Sequence, residues 1–323
     1  MIQLKAAVLE TCTTDRPFAE SRPLTLQTID AEPPGPGEVL VRIRAVSLCR
    51  SDLSVITGVR AWPMPIVPGH EASGIVEEVG SHDSPFAAGD QVVLVYQPQC
   101  GTCSCCVGGD GHLCEPGLAA NRAGALLTGG PRLKLNGEPI HHHMGLSAFA
   151  EMAVISEKSL VKVEKDLPAD IAALFGCAAL CGAGSIVNTG RVRPGETVAV
   201  AAVVELTGGG VDCALESAGV LEAFETAYAS AKRGGRVVTL GLVSPKTPYA
   251  LDVAAHVTGA KALIGSYMGS CNAPLDIPKF VGLYKSGKFP VDKLITKRLP
   301  LTDINLALDN MADSRELRQV LTP

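Results

Sequence analysis

The sequence predicts an α/β protein of two domains, one β-rich and one built on a parallel sheet. Three observations carry this. The chain has 323 residues, beyond the usual limit of a single hydrophobic core. Up to residue 163, short segments alternate apolar and polar side chains between Gly- and Pro-rich turns, as half-buried strands do. From residue 169 onward, short continuous apolar runs alternate with helical spacing, the pattern of strands buried on both faces.

In chain order, residues 5–9 and 38–45 read as strands separated by the turn-rich Glu32-Pro33-Pro34-Gly35-Pro36-Gly37. Strands at 74–79 and 91–96 follow, joined by a turn at Ala88-Gly89-Asp90. A cysteine-dense lobe interrupts the pattern, and residues 115–145, rich in Gly, Asn and Pro, read as a loop. Strands resume at 149–155 and 160–163. The uncharged stretch 171–190 has the length of a membrane span, but its Gly, Ser and Asn residues favour one buried helix between domains. Pro194-Gly195 then turns the chain into apolar runs at 197–200, 211–216, 236–241 and 262–267. Helical spacing at 221–232 ends before Gly234-Gly235. Two more helices are expected at 275–286 and 301–311.

Composition narrows the function classes. The net charge is -5, and no run of Lys and Arg with interleaved aromatics offers a basic field, so nucleic-acid binding is disfavoured. The first ten residues lack a signal-peptide layout. A cytosolic chain with no membrane partner is expected, in which eleven cysteines serve as ligands rather than disulfides.

Five of those cysteines fall within residues 100–114. Cys100, Cys103, Cys106 and Cys114 have C-x2-C-x2-C-x7-C spacing, which can close a tetrahedral zinc site without further ligands. Four protein ligands leave no open position, so chemistry must lie elsewhere. Cys49, His70 and Cys177 would form such an open site, two thiolates and one imidazole leaving a fourth position for water or substrate. Spacing alone does not assemble them. Read individually, His70 is more readily a core or loop histidine than a ligand, and Cys177 more readily a buried helix thiol.

Cys49-Arg50-Ser51-Asp52, the run from Gly69-His70-Glu71 to Gly80, the four-cysteine lobe and Gly176-Cys177 stand in the order and spacing of one family. Over almost its whole length the chain resembles the zinc-containing medium-chain alcohol dehydrogenases. The resemblance implies a GroES-like β-rich catalytic domain (1–178 and 268–323) and a Rossmann doubly wound parallel sheet (179–267). It implies two zinc ions per chain, with Cys49, His70 and Cys177 on the catalytic ion, Glu71 close behind it, and the other four cysteines on a structural ion, leaving Cys105 spare. It further implies NAD, with NADP open as well, and hydride transfer between a primary or aromatic alcohol and its aldehyde. A thiol-adduct dehydrogenase of the formaldehyde type and a catalytically silent zinc protein are the alternatives.

The same resemblance gives Ser51 the place of a proton-relaying hydroxyl, although Ser54 stands where many relatives have a histidine. Arg50 and Arg318 match pyrophosphate contacts, and Gly241-Leu242-Val243 the segment that packs the nicotinamide. Each arginine is also an ordinary surface residue, and Ser51 an ordinary turn serine. Trp62, Tyr96 and Leu146 are candidate walls of the substrate pocket, each equally at home in a core. His141-His142-His143 suggests a metal cluster or a tag fragment, and the resemblance favours a native surface loop. A homodimer paired through residues 262–267 is implied.

One part is missing. A G-x-G-x-x-G turn should follow residues 197–200, but the chain runs Ala201-Ala202-Val203-Val204-Glu205 toward Gly208-Gly209-Gly210. About fifty to sixty residues, two βαβ units' worth, are absent near 201–204. In the 3-2-1-4-5-6 strand order the lost strands are second and third, so the remaining four should still be neighbours.

Overall fold

The computed structural model describes residues 1–200, 209–244 and 246–323. The chain divides into two compact units, Met1–Ala179 with Asn272–Pro323, and Leu180–Cys271.

The larger unit is β-rich. Its closed barrel runs in the order Ile2–Leu9, Leu24–Ala31, Leu133–Leu135, Glu138–His142 and Ile66–Val67. Leu4, Val8, Ile29, Val67, Leu126 and Ile140 fill its interior. A second sheet runs Leu160–Val163, Gln91–Leu94, Ala72–Val79, Glu38–Ser47, Gln319–Thr322 and Lys297–Pro300, with Met152–Ser156 also pairing Glu38–Ser47. This sheet draws the end of the chain back to the segment that precedes Cys49, because Val320 pairs Ser47 and Leu321 pairs Val46.

The expected loop at 115–145 is instead structured. It holds a helix, Glu115–Arg122, and the barrel hairpin Leu133–Leu135 and Glu138–His142. Its Pro and Gly residues misled because they act inside elements. Pro116 sits in the first turn of the helix, where its missing N–H costs nothing. Asn136 and Gly137 both have positive φ (53° and 86°) and form the tight hairpin turn.

The smaller unit is a four-stranded parallel sheet in the order Val198–Val200, Val211–Glu216, Ala231–Thr239, Ala262–Gly265. The four strands are neighbours in sequence order, as the 3-2-1-4-5-6 argument requires. Two apolar clusters form: Val211, Ala214 and Val237 pack with Ala227, and Cys213, Leu215 and Val238 with Ile186, with a register shift between Val211 and Cys213 breaking simple alternation. Asp212 ties the first two strands together, its Oδ2 accepting from Thr197 N at 3.0 Å and Thr197 Oγ1 at 2.8 Å. The stretch Ala201–Glu205, where the sequence lacks the glycine-rich turn, lies outside the described residues.

Three expected elements shift. The helix at 221–232 ends at Ser230, and Ala231 already belongs to the next strand, so Gly234-Gly235 lies inside that strand rather than beyond the helix. The strand at 262–267 stops at Gly265. The single helix at 171–190 is broken into Ala169–Leu174, Ala178–Gly184 and a π-helical turn at Ser185–Thr189. Among the described residues no helix is long and apolar enough to cross a membrane. All eleven cysteines are free of disulfides.

The histidine run is not a surface loop: His142 and His143 are fully buried. The sequence offered only adjacency, whereas the hairpin turns His142 into the barrel. There its Nε2 accepts from Arg132 N at 3.1 Å, and its Nδ1 lies 3.2 Å from Ser147 Oγ, a partner for the remaining N–H. Burial pushes its pKa from 6.5 down to about 3. Above pH 6.5 folded and unfolded chains both hold this ring neutral. Below it the unfolded chain binds a proton that the folded chain refuses, so stability present above pH 6.5 is lost as pH falls toward about 3. The loss is up to ~1.4 kcal/mol per pH unit. The unfolding temperature should therefore fall less steeply between neutral and acidic pH in His142→Asn than in the wild type. Parallel profiles would refute this.

Candidate metal centres

Two groups of metal-ligating side chains form in the larger unit. In the cysteine lobe the sulfurs of Cys100, Cys103, Cys106 and Cys114 lie within 4.8 Å of one another. Backbone amides point at them: Cys103 N reaches Cys100 Sγ at 3.3 Å, Cys106 N reaches Cys103 Sγ at 3.5 Å, and Gly117 N reaches Cys114 Sγ at 3.4 Å. Burial disfavours a thiolate at Cys100, but the N–H groups of Thr102 and Cys103 outweigh it and bring that thiol down to about 6. Burial, with Cys103 and Cys114 adding to it, pushes Cys106 up to about 12. Four thiolates at this spacing repel one another, and a divalent cation is what relieves that repulsion. Cys105 is partly buried and stands outside the group.

The second group joins Cys49, His70 and Cys177, whose ligand atoms also lie within 4.8 Å. Each is placed by a different element. Cys49 is the residue before the helix Arg50–Ile56, and Asp52 accepts its backbone N–H at 3.0 Å. His70 follows Gly69, whose φ of +94° and closeness to Phe149 (a Cβ would meet its N at 2.6 Å) exclude any side chain. Cys177 lies in the helix break, next to Gly176. A Cβ on Gly176 would stand 2.3 Å from the Leu94 carbonyl oxygen, so the chain comes this close to the sheet only without a side chain.

Asp52, a residue that sequence reasoning leaves without a role, organises the group. Its Oδ1 lies 2.8 Å from His70 Nδ1, with both residues buried, which leaves Nε2 as the nitrogen available to a metal. The signal that could have found it is a carboxylate three residues after a helix-preceding residue, the capping-box spacing. A hydrogen bond with Cys177, followed by the charge of His70, holds the Cys49 thiol well below its usual range. Burial opposes a charge on His70, but Asp52 and Cys49 raise it well above the usual imidazole value. The thiol and the imidazole thus each favour the other's charged form.

Behind the group, burial lifts Glu71 to about 7 against the pull of Arg318. Its Oε1 accepts Ala178 N at 3.1 Å, and Oε2 lies 3.3 Å from Arg318 Nη1. Arg318 also reaches Leu48 O at 3.1 Å. Arg50 is exposed and bonds Ser314 Oγ at 3.0 Å. Ser51 Oγ lies 3.9 Å from Cys49 Sγ, while Ser54 is tied to Arg50 O at 3.0 Å. Tyr96 and Trp62 come near: Tyr96 meets the His70 ring edge-on at 5.7 Å, and Trp62 meets the His143 ring at 5.0 Å. Leu146 is buried and its N–H bonds His143 O at 3.0 Å. In the smaller unit Gly241 follows the third strand, with Leu242 exposed.

Comparison with known proteins agrees with this architecture. The profile described as "Alcohol dehydrogenase GroES-like domain" matches residues 35–165, and that described as "Zinc-binding dehydrogenase" matches 172–286. A protein of Mycobacterium tuberculosis, provisionally named alcohol dehydrogenase D, is 33% identical, the match covering 94% of this chain and 97% of the relative. The chain belongs to the zinc-containing medium-chain alcohol dehydrogenase family. Its fold is the GroES-like and Rossmann-type combination of these dehydrogenases. Among solved dehydrogenase structures, an alcohol dehydrogenase zinc-binding domain protein from Burkholderia ambifaria is 29% identical with a TM-score of 0.91, the match covering 99% of each chain. Benzyl alcohol dehydrogenase from Acinetobacter calcoaceticus is 27% identical with a TM-score of 0.90, covering 100% of this chain and 99% of its own. The match to the Mycobacterium dehydrogenase spans 364 positions, more than the 323 residues here, so that relative carries residues this chain lacks.

The Glu71–Arg318 pair gives a direct test of the ground beneath the second group. Arg318→Met leaves a fully buried carboxylate without its cation and should lower the unfolding free energy by about 3 kcal/mol. Adding Glu71→Gln should recover part of that loss. Urea unfolding of both variants measures it, and a cost that the second substitution leaves unchanged would show that the two side chains are not coupled.

Proposed function

We propose that this dehydrogenase carries two zinc ions per chain and interconverts a primary, aromatic alcohol and its aldehyde, with NAD as the expected hydride carrier. The observation that carries the reading is the pairing of a closed four-thiol group with an open group of two thiols and one imidazole. The donor sets fit zinc: sulfur and nitrogen ligands, with backbone amides aimed at Cys100, Cys103 and Cys114 and the Asp52 carboxylate orienting His70. When bound at Cys49, His70 and Cys177, zinc supplies a Lewis acid that lowers the pKa of an alcohol.

The remaining chemistry belongs to side chains. Asp52 holds His70 in one tautomer and orientation. Ser51 Oγ stands beside Cys49, where it can accept the proton a substrate hydroxyl gives up. The next step outward is not through Ser54, whose hydroxyl donates to the helix backbone, so the proton leaves to water. Tyr96 and Trp62 supply apolar faces suited to an aromatic ring, and the likeness to a benzyl alcohol dehydrogenase supports that choice. A homodimer paired through the exposed edge strand Ala262–Gly265 belongs to the same proposal.

The hydride carrier is a different case. Residues 201–208 run Ala-Ala-Val-Val-Glu-Leu-Thr-Gly and hold no G-x-G-x-x-G turn, so the sequence does not fit a pyrophosphate in the usual way. This observation favours a second reading, a zinc protein of dehydrogenase fold that is catalytically silent.

Metal analysis tests the zinc reading. Wild type should hold two zinc ions, and Cys49→Ser and Cys106→Ser should each lose one. Cys49→Ser should also lower turnover of benzyl alcohol on the order of a thousandfold, ~4 kcal/mol of barrier. Two ions retained in Cys49→Ser would sink the assignment of the open site. Fluorescence titration with NADH, on protein whose intact mass matches this sequence, separates the two readings. Dehydrogenase function predicts saturable binding, weakened to a millimolar dissociation constant, and no response there would favour the silent protein.

A further inference from the structure

His143 is a buried polar group beside the open metal group that neither metal centre uses. It is fully buried, and among the described residues neither ring nitrogen has a hydrogen-bond partner. Its neighbour His142, equally buried, has partners for both, so the barrel does satisfy an imidazole where the ring is structural. A buried imidazole with no partner is unfavourable, and such a group asks for a ligand.

Its position says which. The His143 ring meets the His70 ring edge-on, centroids 5.3 Å apart, and Trp62 covers another side at 5.0 Å. Its Nδ1 stands 3.5 Å from Asp52 Oδ1, beyond a good hydrogen bond. The backbone fixes the ring there: His143 N donates to Ser147 Oγ at 3.2 Å, and His143 O accepts Leu146 N at 3.0 Å. Asp52, His70 and His143 are close enough to suggest a metal of their own. However, Asp52 already accepts from Cys49 N and faces His70 Nδ1, and His70 Nε2 belongs to the open group, so of that trio only His143 has a ligand atom to spare. What remains is a polar atom beside an open ligand set, among aromatic rings.

We infer that His143 is a specificity-determining residue that hydrogen-bonds a second polar group of the alcohol substrate, carried on the ring away from the reacting hydroxyl. The inference rests on the reading of Cys49, His70 and Cys177 as the substrate-binding metal site. Either protonation form of an imidazole keeps an N–H donor, and a phenolic hydroxyl can accept from it or donate to its free nitrogen. A site built this way should reject an analogue that lacks the hydroxyl.

The test needs no cofactor. Cobalt-loaded protein is titrated with 3-hydroxybenzyl alcohol and with the near-isosteric 3-methylbenzyl alcohol, following the visible absorption of the metal. A meta hydroxyl is too far from the carbinol oxygen for both to bind one ion. Wild type should bind the hydroxyl compound at least about tenfold more tightly, and His143→Phe should abolish or reverse that preference. His143→Leu should do the same and replaces it should the larger ring not fold. A wild type that shows no preference, or a preference that survives in both variants, overturns the role of His143 while leaving the metal site in place. Cobalt uptake undiminished in Cys49→Ser would instead overturn the metal site, and the role of His143 with it.

Discussion

The carboxylate of Asp52 is the joint on which the open metal group turns. One oxygen accepts the amide of Cys49 and the other faces His70 Nδ1, so a single side chain fixes the entry into a helix and the orientation of an imidazole from another segment. It is fully buried, and a buried carboxylate is tolerable only while both oxygens are satisfied. The packing around it follows from this requirement. Gly69 lets His70 approach, the helix Arg50–Ile56 brings Asp52 back toward Cys49, and the return of the chain end to Glu38–Ser47 closes the site from behind.

Charge balance extends the same constraint outward. Glu71 is a second fully buried carboxylate, held between the Ala178 amide and the Arg318 guanidinium. Arg318 lies in the last residues of the chain and Ala178 begins the helix after the break, so three distant segments meet at one carboxylate. Arg318 was expected on a pyrophosphate; its guanidinium lies against Glu71 and the Leu48 carbonyl. An arginine has donors enough for more than one role, and this one serves the ground beneath the metal ligands.

Legibility in the sequence follows locality. The four-cysteine lobe was readable because its ligands lie within fifteen residues and its spacing carries the geometry. The parallel strands were readable because burial on both faces leaves a continuous apolar run. The group at Cys49, His70 and Cys177 was assembled only through family resemblance, since nothing local links positions 107 residues apart. What misled was context. Pro116, Asn136 and Gly137 mark loops by composition but here start a helix and close a hairpin. The stretch 171–190 lacks charge throughout, yet the approach of Gly176 to Leu94 breaks it into pieces. His142 and His143 look alike on paper, and only the barrel makes one a satisfied strut and the other an unpaired group.

The division into units bears on the cofactor question. Every ligand of both metal groups, with Asp52, Glu71, Arg318 and His143, belongs to the larger unit. The shortening near residue 201 falls in the smaller unit, on the segment where a glycine-rich turn would cradle the pyrophosphate. The four parallel strands there keep their order and register, and Val198 through Val200 still pair Cys213 through Leu215. The shortening therefore spares the sheet's surviving core and the metal ligands, and its cost falls on the phosphate cradle. Metal binding and alcohol binding are properties this chain can retain independently of hydride transfer, which is why a cobalt titration can question the substrate site even where turnover is weak.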